Sequence, residues 1–351
     1  MGNNYSTETN TVFSMKGPSQ KFRSVRGAAL LLALWALFLL SAMVITWVLS
    51  INSRLVVSSN ESRVLAAESA ASSGADVALC REITPSSPNL HRQMVDGGSY
   101  DVQITGECGR LNLNFLLQGE DPTKLRILRQ YLNNKGIDLN DLDVMMDSLL
   151  DWVSQNRGLH HLNACPETDD YHPPHAGLLF SIDELKKVCG WEELTSKPGW
   201  DQDFTIVGNC GAIDLAWASR DVLRALPGLS DDAVDRFLQL RRGPDGIDGT
   251  DDDFQFVATG GTSVPPEVQA ALGLNPQQFQ QIQALVQFNG PVKHIVSVGK
   301  SGEVTRSVEM VVLKQVVPAG APVGGAITTA GGTTTTTIGI GRPQVFSWKE
   351  L

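Results

Sequence analysis

The chain has 351 residues, of which 42% are hydrophobic and 19% charged, with a formal net charge of -10. That mixture supplies enough apolar side chains for a sizeable core spread over two or three domains, and it excludes a wholly disordered chain. The acidic balance excludes a general binder of nucleic acid or anionic surfaces, because neutralising phosphates needs clustered Lys and Arg.

Residues 1–27 carry four basic side chains (Lys16, Lys21, Arg23, Arg26) and one acid, Glu8. Ala28 to Ile51 then form an uncharged run of 24 residues. As a helix this run spans roughly 36 Å, enough for a bilayer core of about 30 Å. The positive-inside bias keeps the leader cytoplasmic and sends everything after Ile51 to the other side. Three readings of the junction stand together. An ordinary signal peptide has a shorter apolar core and small residues at its cleavage site, and Ser41-Ala42-Met43 is a poor version of one. An uncleaved anchor needs nothing more. The third reading is processing at Arg26-Gly27-Ala28, since a basic leader ending in Gly directly before the apolar run resembles a type IV prepilin junction. Pilins usually carry Glu as the fifth residue after the cut, where a carboxylate in the bilayer meets a neighbouring subunit's amino group. Leu32 stands there instead. It fits a subunit at the end of a filament, or it counts against the prepilin reading.

Beyond the apolar run, Leu55, Ser59, Ser62, Ala66, Ala70, Ser73 and Val77 recur at helical spacing, which predicts one helix from Ala28 to about Cys80. Ser99–Gly106 alternates like a strand, and Phe204–Gly208 is a second strand candidate. Val292–Val317 predicts a hairpin turning at Gly299–Gly302. Between these lies a mainly helical block, Leu111 to Phe288, with a weak repeat: GRLNLNFLL (109–117) echoes GAIDLAWAS (211–219). The second copy reads as a helix-hairpin-helix, with Ser219 and Ser230 as caps around Pro227-Gly228. Such a turn can offer N–H groups to phosphate, yet residues 219–242 hold five Arg and four Asp, a nearly neutral field that favours protein packing. Pro318–Gly341 is too rich in Gly, Ala and Thr to build a core and reads as a flexible segment, after which RPQVFSWKEL returns as a closing strand.

Cys80, Cys108, Cys165, Cys189 and Cys210 show no CxxC pair. One or two disulfides are expected in an oxidising compartment, with at least one thiol left over and the pairing open. GPDGIDGTDDDF sets Asp245, Asp248, Asp251, Asp252 and Asp253 among glycines. Calcium favours such clustered oxygens, although the EF-hand spacing is missing and a solvated turn is the competing reading. His160, His161, His172 and His175 lack the fixed spacing that presents two imidazoles to one metal, and are expected to be exposed loop residues. No nucleophile elbow, Walker loop or oriented Cys–His pair occurs, so no enzyme is expected.

In this order, VRGAALLLALWAL, GRLNLN, SLLDWV, FSIDELKKVCG, GAIDLAWASRDVLRALPGLSDDAV and VFSWKE make the chain resemble the K-type minor pseudopilins of the type II secretion system, from Arg26 to Glu350. The resemblance implies an α+β fold: a pilin-like long first helix on an antiparallel sheet, with a large mainly helical insertion containing helix-hairpin-helix-like repeats. The expected division is a leader at 1–27, a transmembrane half-helix at 28–51 and pilin-like parts at 52–110 and 291–317. The insertion takes 111–290, the flexible segment 318–341 and the closing strand 342–351. The family implies cleavage after Gly27 and methylation of Ala28 by prepilin peptidase, with Leu32 as its usual fifth residue. It implies a single pass through the inner membrane and its lipid, a periplasmic main domain and contact with the inner-membrane secretion platform. At the pseudopilus tip the expected partners are I- and J-type minor pseudopilins, with no nucleic acid and no required cofactor. Calcium ligands sometimes lie in the family's acidic patch after the DW pair, which here is altered, leaving Glu167, Asp169 and Asp170 as candidates. Two other functions compete: a membrane-anchored periplasmic DNA receptor using the hairpin near Gly228, tested through Arg224 and Arg241, and a minor pilin of a type IV pilus.

Overall fold

A computed structural model describes residues 26–94, 97–158, 160–256, 266–314 and 343–351. The expected leader (residues 1–25 of it) and the whole Gly/Thr-rich segment lie outside the described residues. The chain divides into two compact units, Met1–Glu61 and Ser62–Leu351, and helix α1 (Arg26–Leu79) contributes to both.

In the first unit, Ala29–Ile51 is long and apolar enough to cross a membrane, with a mean hydropathy of 2.5 and none of it buried. Leu31, Trp35, Phe38 and Trp47 are each more than half exposed. Thr46 donates its hydroxyl back to Ala42 O at 3.0 Å, so this polar group in the apolar run finds its partner inside the helix.

In the second unit, the sheet contains β1 (His91–Gln93), β2 (Gly98–Gly106), β7 (Val292–Ser301), β8 (Val304–Leu313) and β9 (Gln344–Glu350), side by side in the order β1-β2-β7-β8-β9. All neighbours are antiparallel. The period-2 burial of β2 follows from its alternating sequence: Tyr100, Val102 and Ile104 face inward, while Asp101 and Gln103 face out. The β7–β8 turn is tighter than expected. Ser301 pairs with Val304, leaving Gly302-Glu303 as a two-residue loop in which Gly302 has φ +59°, the geometry of a II′ hairpin. Gly299 therefore lies inside β7, not in the turn.

The last part of α1 covers this sheet with small residues. Ala67, Ala70, Ala71, Gly74, Ala75 and Ala78 are buried, a stripe set about one residue from the expected one. Ala66, Ser73 and Val77 are only half-buried flanks, and Ser59 and Ser62 are exposed. Small side chains let the helix backbone sit on the strands: a Cβ on Gly299 would lie 2.1 Å from Ala67 O, and one on Gly74 would lie 2.5 Å from Ser297 Oγ. Ser297 Oγ, fully buried, donates to Ala71 O at 2.6 Å. At the end of α1, Lys314 Nζ donates to Ala78 O and Ile83 O at 3.2 and 2.6 Å, capping the helix from β8.

Between β2 and β7 the chain leaves the sheet. The first excursion runs β3 (Leu111–Asn112), α2 (Leu113–Leu117), α3 (Pro122–Asn134), α4 (Leu139–Val153), α5 (Glu192–Thr195) and β4 (Phe204–Thr205). The second runs β5 (Ile213–Asp214), α6 (Arg220–Arg224), α7 (Asp231–Arg241), α8 (Pro266–Leu272), α9 (Pro276–Ile282) and β6 (Val286–Gln287). Each opens and closes on two-residue strands that pair in parallel, β3 with β4 and β5 with β6. The second candidate strand is thus shorter than expected, and SIDELKKVCG forms a 3-10 helix over Ile182–Lys187, capped by Ser181 and Glu184. One hydrophobic core runs through both excursions, from Leu111 through Tyr131, Trp191 and Phe237 to Phe288. A separate core, from Ala71 to Val312, lies between α1 and the sheet. The fold is α+β.

Candidate functional site

The residues expected to be processed sit at the start of α1. Gly27 and Ala28 are helical, and Leu32 is 70% exposed on the apolar run. A neutral side chain at that position has no charge to offer a neighbour's amine.

Where the sheet meets the insertion, charged groups replace apolar contacts. Arg110 Nη2 lies 2.9 Å from His294 Nδ1, and His294 Nε2 lies 2.8 Å from Glu309 Oε1. Arginine can only donate, so Nδ1 is the acceptor and Nε2 carries the proton given to Glu309. Glu309 is held below the usual carboxylate range, first by that hydrogen bond, with burial opposing it. Beside this chain, buried Glu107 accepts the hydroxyl of Thr205 through Oε1, while Arg110 approaches its Oε2 at 3.5 Å. Trp217 fits against Gly106 and Gly109, where any Cβ would collide with it. Lys293 Nζ lies 5.8 Å from the Trp217 ring centre, and burial pushes its ammonium down.

Two disulfides hold the insertion. Cys108–Cys210 joins the roots of the two excursions and packs with Val292 and Val311 of the sheet. Cys165–Cys189 ties the loop after α4 to the segment before α5. Cys80 is free and exposed at the end of α1. A second bridge between the excursions is ionic: Lys135 on α3 pairs with Asp221 on α6 and lies 3.5 Å from Asp203, which also accepts the hydroxyl of Tyr131 at 2.9 Å. Burial first, and then Asp203, raises the Tyr131 phenol well above its ordinary value.

Two of the four histidines are not exposed loop residues. The side chains of His161 and His175 are only 18% and 6% exposed, whereas those of His160 and His172 are 52% and 64%. The buried carboxylate of Asp151 accounts for one of them, accepting from His161 N at 3.1 Å and facing His161 Nδ1 at 2.5 Å and His160 Nδ1 at 2.7 Å. Ser154 O and Glu167 hold His175 at 2.9 and 3.2 Å. No spacing rule pointed to Asp151, because its partners come from a loop ten residues on.

The expected calcium ligands are not brought together. Among the described residues no three His, Cys, Asp or Glu side chains are placed to hold a metal ion. Glu167 turns to His175, and Asp169 and Asp170 lie in the tight turn closed by Thr168 and Tyr171. In the acidic loop, Asp248 takes Arg241 and Arg242 at 2.9 and 3.0 Å. Asp245 accepts from Ile247 N, and Asp253 from Gly249 N. Asp252 accepts from Asp245 N, while Asp251 is exposed. These carboxylates fold the loop on itself around two arginines.

The helix pair α6–α7 turns at Pro227-Gly228, with Gly228 at φ +85° and Ser219 and Ser230 capping as expected. Four of the five arginines of residues 219–242 are paired, Arg242 with Asp248. Arg220 and Arg224 make two-pronged bonds to Asp235 and Asp231. Arg241 is 3% exposed and donates to Leu215 O and Ala218 O as well as to Asp248. The residues named for a phosphate contact are structural ties within the insertion.

No family model and no curated protein matches the sequence. Among solved structures, the fold is similar to a chain of the GspK–GspI–GspJ complex from the type 2 secretion system of enterotoxigenic Escherichia coli, at a TM-score of 0.47 and 14% identity, covering 76% of this chain and 93% of that one.

Proposed function

We propose that the protein is a non-catalytic minor pseudopilin of K type, which initiates or caps the periplasmic pseudopilus of a type II secretion system for the export of folded proteins. The observation that carries this reading is the design of α1. One helix holds an apolar run fit for a bilayer and, further along, an alanine and glycine stripe seated on an antiparallel sheet. A two-copy helical insertion splits that sheet between β2 and β7. The order of the sequence motifs named above supports the K type in particular, and Leu32 suits a subunit with no neighbour's amine to neutralise.

On this reading prepilin peptidase cuts after Gly27 and methylates Ala28, and the helix anchors the protein in the inner membrane with its main domain in the periplasm. Disulfides at Cys108–Cys210 and Cys165–Cys189 suit that oxidising compartment. The partners are I- and J-type minor pseudopilins and the secretion platform. The DNA-receptor reading gains no support from the hairpin, whose Arg224 and Arg241 are internally paired. The test is the amino terminus of the protein from cells containing prepilin peptidase. N-methylated Ala28 is the expected result. An intact Met1, or an end near Met43, overturns the proposal. Co-purification with I- and J-type subunits then separates a pseudopilin from a type IV minor pilin.

A further inference from the structure

The C-terminal half of α4 sets a polar face beside the buried apolar residues Met145, Met146, Leu149 and Leu150. Asp147, Ser148 and Asp151, at positions i, i+1 and i+4, all point to the segment His160–Gly177 that follows the helix. Asp147 Oδ2 accepts from Asn163 N and Nδ2 at 3.0 and 2.9 Å. Ser148 Oγ accepts from Cys165 N at 3.1 Å. Asp151 accepts from His161 N and faces both imidazoles. The segment is a strap laid along the helix, held by these three side chains as well as by the Cys165–Cys189 disulfide and by His175 on Ser154 O.

The fastening at Asp151 is chemically distinct. His161 Nδ1 faces Asp151 Oδ1 at 2.5 Å, and its Nε2 faces Glu120 Oε2 at 3.5 Å. Both ring nitrogens look at carboxylates, and a neutral imidazole has only one N–H to give. Only the imidazolium serves both. The charged groups facing the ring are Asp151 on α4, Glu120 on the turn after α2, and neighbouring His160, which shares Asp151. Asp151 sits in the last turn of α4, where the helix carbonyls repel a carboxylate. A cation beside it relieves that repulsion. Glu120 also lines an open groove of about 870 Å³ with Phe115, Leu150, Ser154, Gly177 and Leu178. Gly177, at the far end of the strap, lines the same groove.

We propose that Asp151, Glu120 and His161 form a proton-operated latch that fastens the start of the strap to α4 when His161 is protonated and loosens it when the proton leaves. The direction of the His161 shift agrees. Burial opposes the charged ring, but the hydrogen bond and charge of Asp151, with Glu120 behind, outweigh burial and raise it above 6.5. A raised histidine holds its proton more tightly in the fastened state. The contribution is fully present below 6.5 and is lost as pH rises through the higher value of the fastened state. The latch thus loosens as pH rises above 6.5 and through that higher value.

Amide hydrogen exchange on the full chain in detergent micelles, corrected for the intrinsic effect of pH, tests this at about pH 6 and about pH 8.5, either side of the imidazole range. The expected result is a loss of protection across residues 160–166 of about tenfold at the higher pH, the ratio that one charge-assisted hydrogen bond accounts for. His161→Gln, which can still donate to Asp151 but cannot titrate, should abolish the dependence, and His160→Gln should leave it. Equal protection of the native chain at both pH values overturns the proposal. So does a His161→Gln protein that responds like the native one, or a His160→Gln protein that no longer responds. Should the Gln variant fail to fold, the His161 ring titrated by NMR in the native chain decides: a value above 6.5 supports the latch and one below it overturns it.

Discussion

Asn112 and Asp214 occupy the same place in the two copies of the insertion, and each ties its opening strand to the backbone just past the closing one. Asn112 pairs with Thr205 across β3–β4, and its Nδ2 donates to Val207 O at 2.7 Å and Cys210 O at 2.9 Å. Asp214 pairs with Gln287 across β5–β6 and accepts from Asn289 N at 3.0 Å and Gly290 N at 2.6 Å. The first partner of each, Val207 or Asn289, lies two residues past the paired residue of the closing strand, with donor and acceptor exchanged. Both side chains are buried.

Exchanging the two residue types should therefore damage both copies. Asn112→Asp aims a carboxyl at two carbonyl oxygens, and Asp214→Asn aims an amide N–H₂ at one of two N–H groups that now each have a carboxyl oxygen. Each should cost about 1–3 kcal/mol, the range for leaving a buried polar group without its partner. Urea unfolding followed by tryptophan fluorescence measures it. Full stability in either variant would mean that the strand pair stands without its side-chain tie.

Gly299 and Gly74 should differ in their tolerance of alanine although they serve one contact. The Cβ of Gly299→Ala would sit 2.1 Å from Ala67 O and 2.4 Å from Ala71 N, both backbone atoms of α1. That of Gly74→Ala meets side-chain ends, Ser297 Oγ at 2.5 Å and Val102 Cγ2 at 2.8 Å. Backbone cannot step aside without moving the helix, so Gly299→Ala should cost about 2–3 kcal/mol and Gly74→Ala about half that. Thermal unfolding of the two variants gives the order, and an equal or reversed order would place the closest approach elsewhere.

The contrast between those glycines also shows what could be read without coordinates. The apolar run, the alternation of β2 and the turn at Pro227-Gly228 each leave a periodic or conformational signal in a few consecutive residues. The phase of the α1 stripe does not, because alanine and serine differ too little in hydrophobicity to mark one face. Gly299 reads as a turn residue, since a glycine demanded by an incoming helix looks the same as one demanded by φ. The two-residue strands β3 to β6 are too short for any period; only the echo of GRLNLN in GAIDLA betrays them. Asp151, the pairing of Arg241 with Asp248 and the choice of Cys108 with Cys210 depend on loops that close across ten, seven and 102 residues.

Removing the two disulfides one at a time should rank them by the loop each closes. Cys108–Cys210 spans 102 residues and Cys165–Cys189 spans 24. Loop entropy alone gives about 4.7 kcal/mol for the first and roughly 3 for the second. The first also fills a buried cluster with Val292 and Val311. Double alanine replacement of each pair, followed by equilibrium unfolding without reductant, tests the ranking. A smaller loss at Cys108–Cys210 would show that the Lys135–Asp221 bridge already holds the two excursions together.

The junction between sheet and insertion should weaken in acid through Glu309. The hydrogen bond from His294 is the largest reason its carboxyl lies below 4.5, and positive charge nearby, including Lys349 and Arg110, adds to it against burial. A depressed carboxyl stabilises the fold above its ordinary value and loses that contribution as pH falls through the lower, folded value. The loss therefore falls below 4.5, not near neutrality. The pair is partly open to solvent, which holds the contribution to about 1 kcal/mol. His294→Gln keeps a donor and an acceptor but neither the ring geometry nor the reach to both Arg110 and Glu309. Its stability should fall short of the native chain at neutral pH, and the gap should close as the medium is acidified below 4.5. Parallel curves down to the acid limb would mean that Glu309 is held by its other neighbours and that His294 serves Arg110 alone.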